Sequence, residues 1–170
     1  MLKKYPKSIS KNTISSRKSL KKFTFSNKIL LVIGSEFREK NALLFLNKII
    51  QLLSINGYEC EIKDHPRVSE RFNITTEFSE YALTEINPKK PIELLDDHYL
   101  GVIGLFSTAL LFFGDRAISL INLMKKYDLE AFEYRKKHLF DMPGGNDIIF
   151  IDTIDEILDL FIINDKKYHE

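Results

Sequence analysis

Apolar positions along this chain fall in short continuous runs separated by stretches of helical spacing. Lys28-Ile29-Leu30-Leu31-Val32-Ile33-Gly34 is one such run, closed by glycine. A run with no polar alternation is what a strand buried on both faces of a parallel sheet requires. Ala42, Leu43, Phe45, Leu46, Ile49, Ile50 and Leu53 then recur at three- and four-residue intervals, and Asn56-Gly57 supplies a stop. That spacing predicts a helix between two strands, the second running from Tyr58 to Lys63. The three together make a βαβ unit of ordinary length.

Residues 68–96 are mostly polar and punctuated by Pro88 and Pro91, and their periodicity predicts little. Pro91-Ile92-Glu93-Leu94-Leu95 fits a first helical turn with proline at its entry. Beyond it the pattern is clear again. Tyr99 to Phe106 reads as a strand, Ser107 to Phe113 as a short helix with a hydroxyl cap, and Ala117 to Leu123 as a fourth strand. Asp128 to Phe140 has helical spacing ended by Pro143-Gly144-Gly145, Asp147 to Ile151 is a fifth strand, and Thr153 to Ile163 a last helix. Strands alternating with helices predict an α/β fold, a Rossmann-like, doubly wound and mostly parallel sheet, with ligands at the carboxyl ends of the strands.

Composition changes this picture only at the amino end. With 170 residues, 44% apolar and 29% charged, the chain has enough material for one core, and its net charge of +1 sets up no global field toward nucleic acid. No acid precedes Glu36, yet nine Lys and Arg residues lie within the first 28. Residues 1–27 therefore read as a basic flexible arm or remnant linker, and 28–170 as the folded domain. The arm offers a peripheral contact for an anionic membrane surface. The single Cys60 excludes an internal disulfide and suits a reducing, cytoplasmic compartment. No apolar run approaches the roughly 20 residues of a membrane span.

Candidate chemistry gathers at two polar junctions. Lys63-Asp64-His65-Pro66-Arg67 ends the second strand, and histidine is the side chain that changes charge near neutrality, able to bind a phosphate or protonate a departing oxygen. Gly104-Leu105-Phe106-Ser107-Thr108 ends the next apolar run, where hydroxyls and the N–H groups of a helix start suit a phosphate, although Ser107 taken alone is better explained as a plain helix cap. Glu93 has the acceptor atoms for a ribose diol, and equally complements a helix start. Asp96-Asp97-His98 reads as a solvated turn, since adjacent side chains point apart. Gly-x-Gly-x-x-Gly, Walker and Gly-x-Ser-x-Gly signatures are absent from the sequence.

In order and interval, these motifs resemble the donor side of bacterial sialyltransferases of the lipooligosaccharide and capsular polysialyltransferase type, over roughly residues 28–123. The intervals are 28 residues from His65 to Glu93 and 14 more to Ser107. The resemblance implies one half of a two-domain GT-B glycosyltransferase that binds CMP-sialic acid and transfers sialic acid to a glycan acceptor on a surface polysaccharide or lipooligosaccharide, with inversion and without a metal or other cofactor. It gives His65 the role of acid for the departing phosphate, Ser107 and Thr108 the grip on that phosphate, Glu93 the ribose hydroxyls, and Lys63 and Pro66 a place beside the base. In that family the acceptor site and general base lie in an amino-terminal domain, and here 27 residues precede the first strand, so a truncated or split enzyme with a separate acceptor domain or chain is expected. Two other readings stay open: a non-catalytic interaction module docking by its basic arm, and a GT-B half using another nucleotide sugar.

Overall fold

The computed structural model describes residues 27–34, 40–65, 77–95, 98–125 and 129–169. Residues 1–26 of the basic arm, Pro66, Arg67 and the Asp96-Asp97 pair lie outside the described residues. Six strands form one sheet in the order β3-β2-β1-β4-β5-β6, with every neighbouring pair parallel. They are β1 (Lys28–Ile33), β2 (Glu59–Asp64), β3 (Thr84–Ile86), β4 (Gly101–Gly104), β5 (Ala117–Ser119) and β6 (Ile149–Phe150). Helix α1 (Lys40–Ile55) joins β1 to β2, α2 (Leu129–Asp141) precedes β6, and α3 (Glu156–His169) follows it. This is the expected doubly wound α/β architecture.

Strand alternation makes two cores, one on each face. Ile29, Leu31 and Ile33 pack with Ile62, Ile103 and Ile118 beneath α1 and α3 through Leu46, Ile49, Leu53, Ile157 and Phe161. Leu30, Val32 and Val102 point the other way, against Tyr99, Leu110, Phe113 and Leu139 of α2. Burial on both sides explains why β1 reads as an unbroken apolar run. Helix α1 ends as expected: Gly57 takes φ 80°, its N–H bonds to Ser54 O at 3.1 Å, and Tyr58 N–H bonds to Leu53 O at 3.0 Å. That is a Schellman closure, which needs a left-handed residue. Among the described residues no helix is long and apolar enough to cross a membrane.

Boundaries differ from expectation where local hydrogen bonds compete with the ladder. The expected strand from Ala117 to Leu123 stops at Ser119, because Leu120 turns and a 3-10 segment runs from Ile121 to Met124. The strand expected from Tyr99 to Phe106 keeps only Gly101–Gly104, and that from Asp147 to Ile151 only two residues. The turn at Pro91 does not grow into a helix: Ile92–Leu94 is a single 3-10 turn, with Leu95 already extended. Strand β3 was not foreseen, for Thr84-Glu85-Ile86 has no apolar run and is strand by pairing with β2. The last helix starts at Glu156 rather than Thr153, whose N–H and hydroxyl both donate to Glu156 Oε1 at 2.8 Å. Both bonds run from Thr153 to the carboxylate, which draws the Glu156 side chain back over the start of the helix.

Candidate functional site

From β1 the chain winds outward through β2 and β3, then returns to place β4 on the other side of β1. Connections leaving β1 and β4 thus diverge, and the crevice between them is where parallel α/β sheets take ligands. A cavity of about 420 Å³ occupies that place, within the range of small-molecule sites. Its lining comes from four strand exits: Val32, Ile33 and Gly34 after β1; Lys63, Asp64 and His65 after β2; Pro88 to Glu93 after β3; and Ser107, Thr108, Ala109 and Phe112 after β4.

Five of the six residues singled out from the sequence therefore line one cavity: Lys63, His65, Glu93, Ser107 and Thr108. Pro66, the sixth, lies outside the described residues. His65 is exposed, and its backbone N–H donates to Asp64 Oδ1 at 2.6 Å, which fixes the turn out of β2. Ser107 Oγ accepts from Ala109 N–H at 3.3 Å and so caps the 3-10 segment Thr108–Phe112. This corrects the picture of a helix start with open N–H groups. The segment is five residues of 3-10 helix, with Ala109 N–H turned to Ser107 Oγ and Leu110 N–H to Ser107 O at 3.1 Å. What the junction presents is hydroxyl chemistry, since an oxygen that accepts one bond still carries a proton to donate.

Lys63 is only 5% exposed, unlike almost all lysines. Its Nζ donates to Pro88 O at 2.6 Å and to Asp64 O at 3.3 Å. Burial pulls its pKa below the ordinary value, and the Asp64 charge partly opposes that. Four residues escaped the sequence reading as parts of the site: buried Asp64, Lys89 and Lys90, and Phe112, an apolar ring 56% exposed at the rim. Asp64 gave no signal of its own, because the expected strand ends at Lys63 while the buried stretch continues through Asp64; the lysines required knowledge of how residues 87–93 fold back.

Lys63, Lys89 and Lys90 line the cavity together with Asp64 and Glu93, so both signs of charge meet at its wall. Among the described residues no group of three or more His, Cys, Asp or Glu stands together in a way that could hold a metal ion. No family model, curated protein or solved structure matches this chain.

Proposed function

We propose that this chain is a nucleotide-sugar donor domain that binds CMP-sialic acid and serves transfer of sialic acid to a glycan hydroxyl. The observation that carries the reading is the convergence of His65, Glu93, Ser107 and Thr108, far apart in sequence, on one cavity at the carboxyl ends of the strands. Each brings a different chemistry suited to one part of such a donor. Ser107 and Thr108 donate hydroxyl protons to phosphate oxygens, Glu93 accepts from the ribose hydroxyls, and Phe112 and the two prolines offer apolar surface to a base.

In the proposed reaction the bond between the sialic acid anomeric carbon and the CMP phosphate oxygen breaks as the acceptor oxygen attacks from the opposite face. The phosphate oxygen takes up the bonding electron pair, and His65 gives a proton to that oxygen. The acceptor's proton leaves to a base on a separate domain or chain. Without that base, transfer by this domain alone is slower by about 10²- to 10⁴-fold.

Isothermal calorimetry with CMP at neutral pH tests the reading. Saturable binding is expected, with UDP and GDP weaker. Ser107→Ala should weaken CMP about tenfold, the usual effect of a hydrogen bond to a charged group. A folded protein that gives no saturable heat with CMP, or equal affinity for all three nucleotides, overturns it.

A further inference from the structure

One wall of the cavity belongs to neither a long helix nor a strand. Residues 87–93 leave β3, pass over the cavity with Pro88, Lys89 and Lys90, and end in the 3-10 turn that holds Glu93. The bonds the segment makes to itself are local. Asn87 Oδ1 accepts from Lys89 N–H at 2.9 Å, Asn87 O from Lys90 N–H at 3.0 Å, and Pro91 O from Leu94 N–H at 3.1 Å. Such bonds shape the turn itself; its place on the sheet comes from its attachment to β3, from Ile92 and Leu95 packing against the second core, and from one polar tether. Lys63 makes that tether, reaching from the buried end of β2 to Pro88 O, 25 residues later in the chain.

A lysine this deeply buried loses hydration that must be returned by partners. Two carbonyl oxygens and the adjacent Asp64 charge supply it here. A group so committed to the protein is poorly placed to serve as a ligand contact, whereas Glu93 is exposed at the cavity wall. We propose that Lys63 is a positioning residue, whose ammonium ties the 87–93 segment to β2 and thereby sets where Glu93 stands over the cavity. Its service to the ligand runs through that segment. The consequence for ribose recognition rests on the proposed function; the tether itself does not.

Lys63→Met keeps most of the buried stem and removes the donor. Amide hydrogen exchange on the full chain without ligand should show the Lys89, Lys90, Leu94 and Leu95 amides exchanging about tenfold faster, with β1 and β2 amides unchanged. Unchanged exchange in the segment overturns the tether, whatever the ligand. Calorimetry with CMP and 2′-deoxy-CMP reads the consequence. The unsubstituted protein should prefer CMP about tenfold, the effect of one hydrogen bond to a charged group, and Lys63→Met should bring the ratio close to one, as should Glu93→Ala. If Lys63→Met weakens both ligands equally and keeps the ratio, Lys63 contacts the ligand directly and the inference fails. If CMP does not bind even the unsubstituted protein, the proposed function fails while the exchange result still decides the tether. Should Lys63→Met not fold, Lys63→Gln, which retains a shorter donor, takes its place with the same readouts.

Discussion

Ser119 shows how much a single buried hydroxyl can decide. It has no exposed surface, its Oγ donates to Leu105 O, and it accepts from Ile121 N–H at 3.3 Å. One side chain thus ends β5 and braces the exit of β4 that leads to Ser107. Ser119→Ala removes the partner of both backbone groups and should destabilise by about 1–3 kcal/mol. A urea titration checks this, and a loss below about 0.5 kcal/mol contradicts it. Gly101 is equally committed: a Cβ there would stand 2.3 Å from Phe161 Cε1, inside the core beneath α3. Gly101→Ala should cost about 1–3 kcal/mol by overpacking, seen as a lower melting temperature. His65 is the opposite case. Because it is exposed, His65→Ala should leave the melting temperature nearly unchanged; under the proposed function it should also remove most of the rise in melting temperature expected on adding CMP. At this scale the sequence named residues that the fold brings to one cavity and was silent on Ser119, since nothing local marks which serine will be buried.

Among elements, the pairing of β1 with β2 carries a pH signature. Lys28 Nζ and Glu61 Oε1 lie 2.6 Å apart, and Tyr99 donates to Glu61 Oε2 at 2.6 Å. Burial alone pushes the Glu61 carboxyl up, but the hydrogen bonds from Lys28 and Tyr99 outweigh it and hold the group below its ordinary 4.5. The hydrogen bond and charge of Glu61 raise Lys28 above its ordinary 10.5. A depressed carboxylate stabilises the fold above the unfolded value, and that contribution disappears as pH falls through the folded value, below 4.5. The raised lysine contributes below 10.5, and its share disappears as pH rises through the folded value above that. Lys28 is 39% exposed on its side chain, so solvent screening limits the ion pair to under about 1 kcal/mol. Glu61→Gln should therefore flatten stability against pH below 4.5, measured by denaturant midpoints between pH 3 and 7; an unchanged acid slope contradicts the assignment.

Legibility of the elements follows their burial. Strand β1, helix α1 and strand β2 could be read almost residue by residue, because a strand covered on both faces and a helix covered on one leave periods that survive in sequence. Strand β3 could not, because an edge strand of three largely exposed residues has no pattern of its own and exists through hydrogen bonds to β2. The strand ends were overestimated for a related reason. Apolar residues such as Leu105, Leu120 and Ile121 continue past the ladder and are buried by turns instead.

For the whole molecule, the sequence by itself determined the layered α/β class, because alternating apolar periods leave few other ways to bury both faces of a sheet. It also determined which polar and titratable residue types stand at the strand exits. Only the tertiary structure decided that β4 lies beside β1, and this opens a crevice that gathers Lys63, His65, Glu93, Ser107 and Thr108 around a single cavity. It also decided how each one is held. Lys63, which the resemblance sets beside a base, is buried in the cavity wall and donates to Pro88 O. Ser107 looked like the mouth of a helix and became the cap of a short 3-10 segment. The physical reason is that strand order and burial arise from contacts between residues tens of positions apart, whereas a sequence pattern reports only the neighbours within a turn or two.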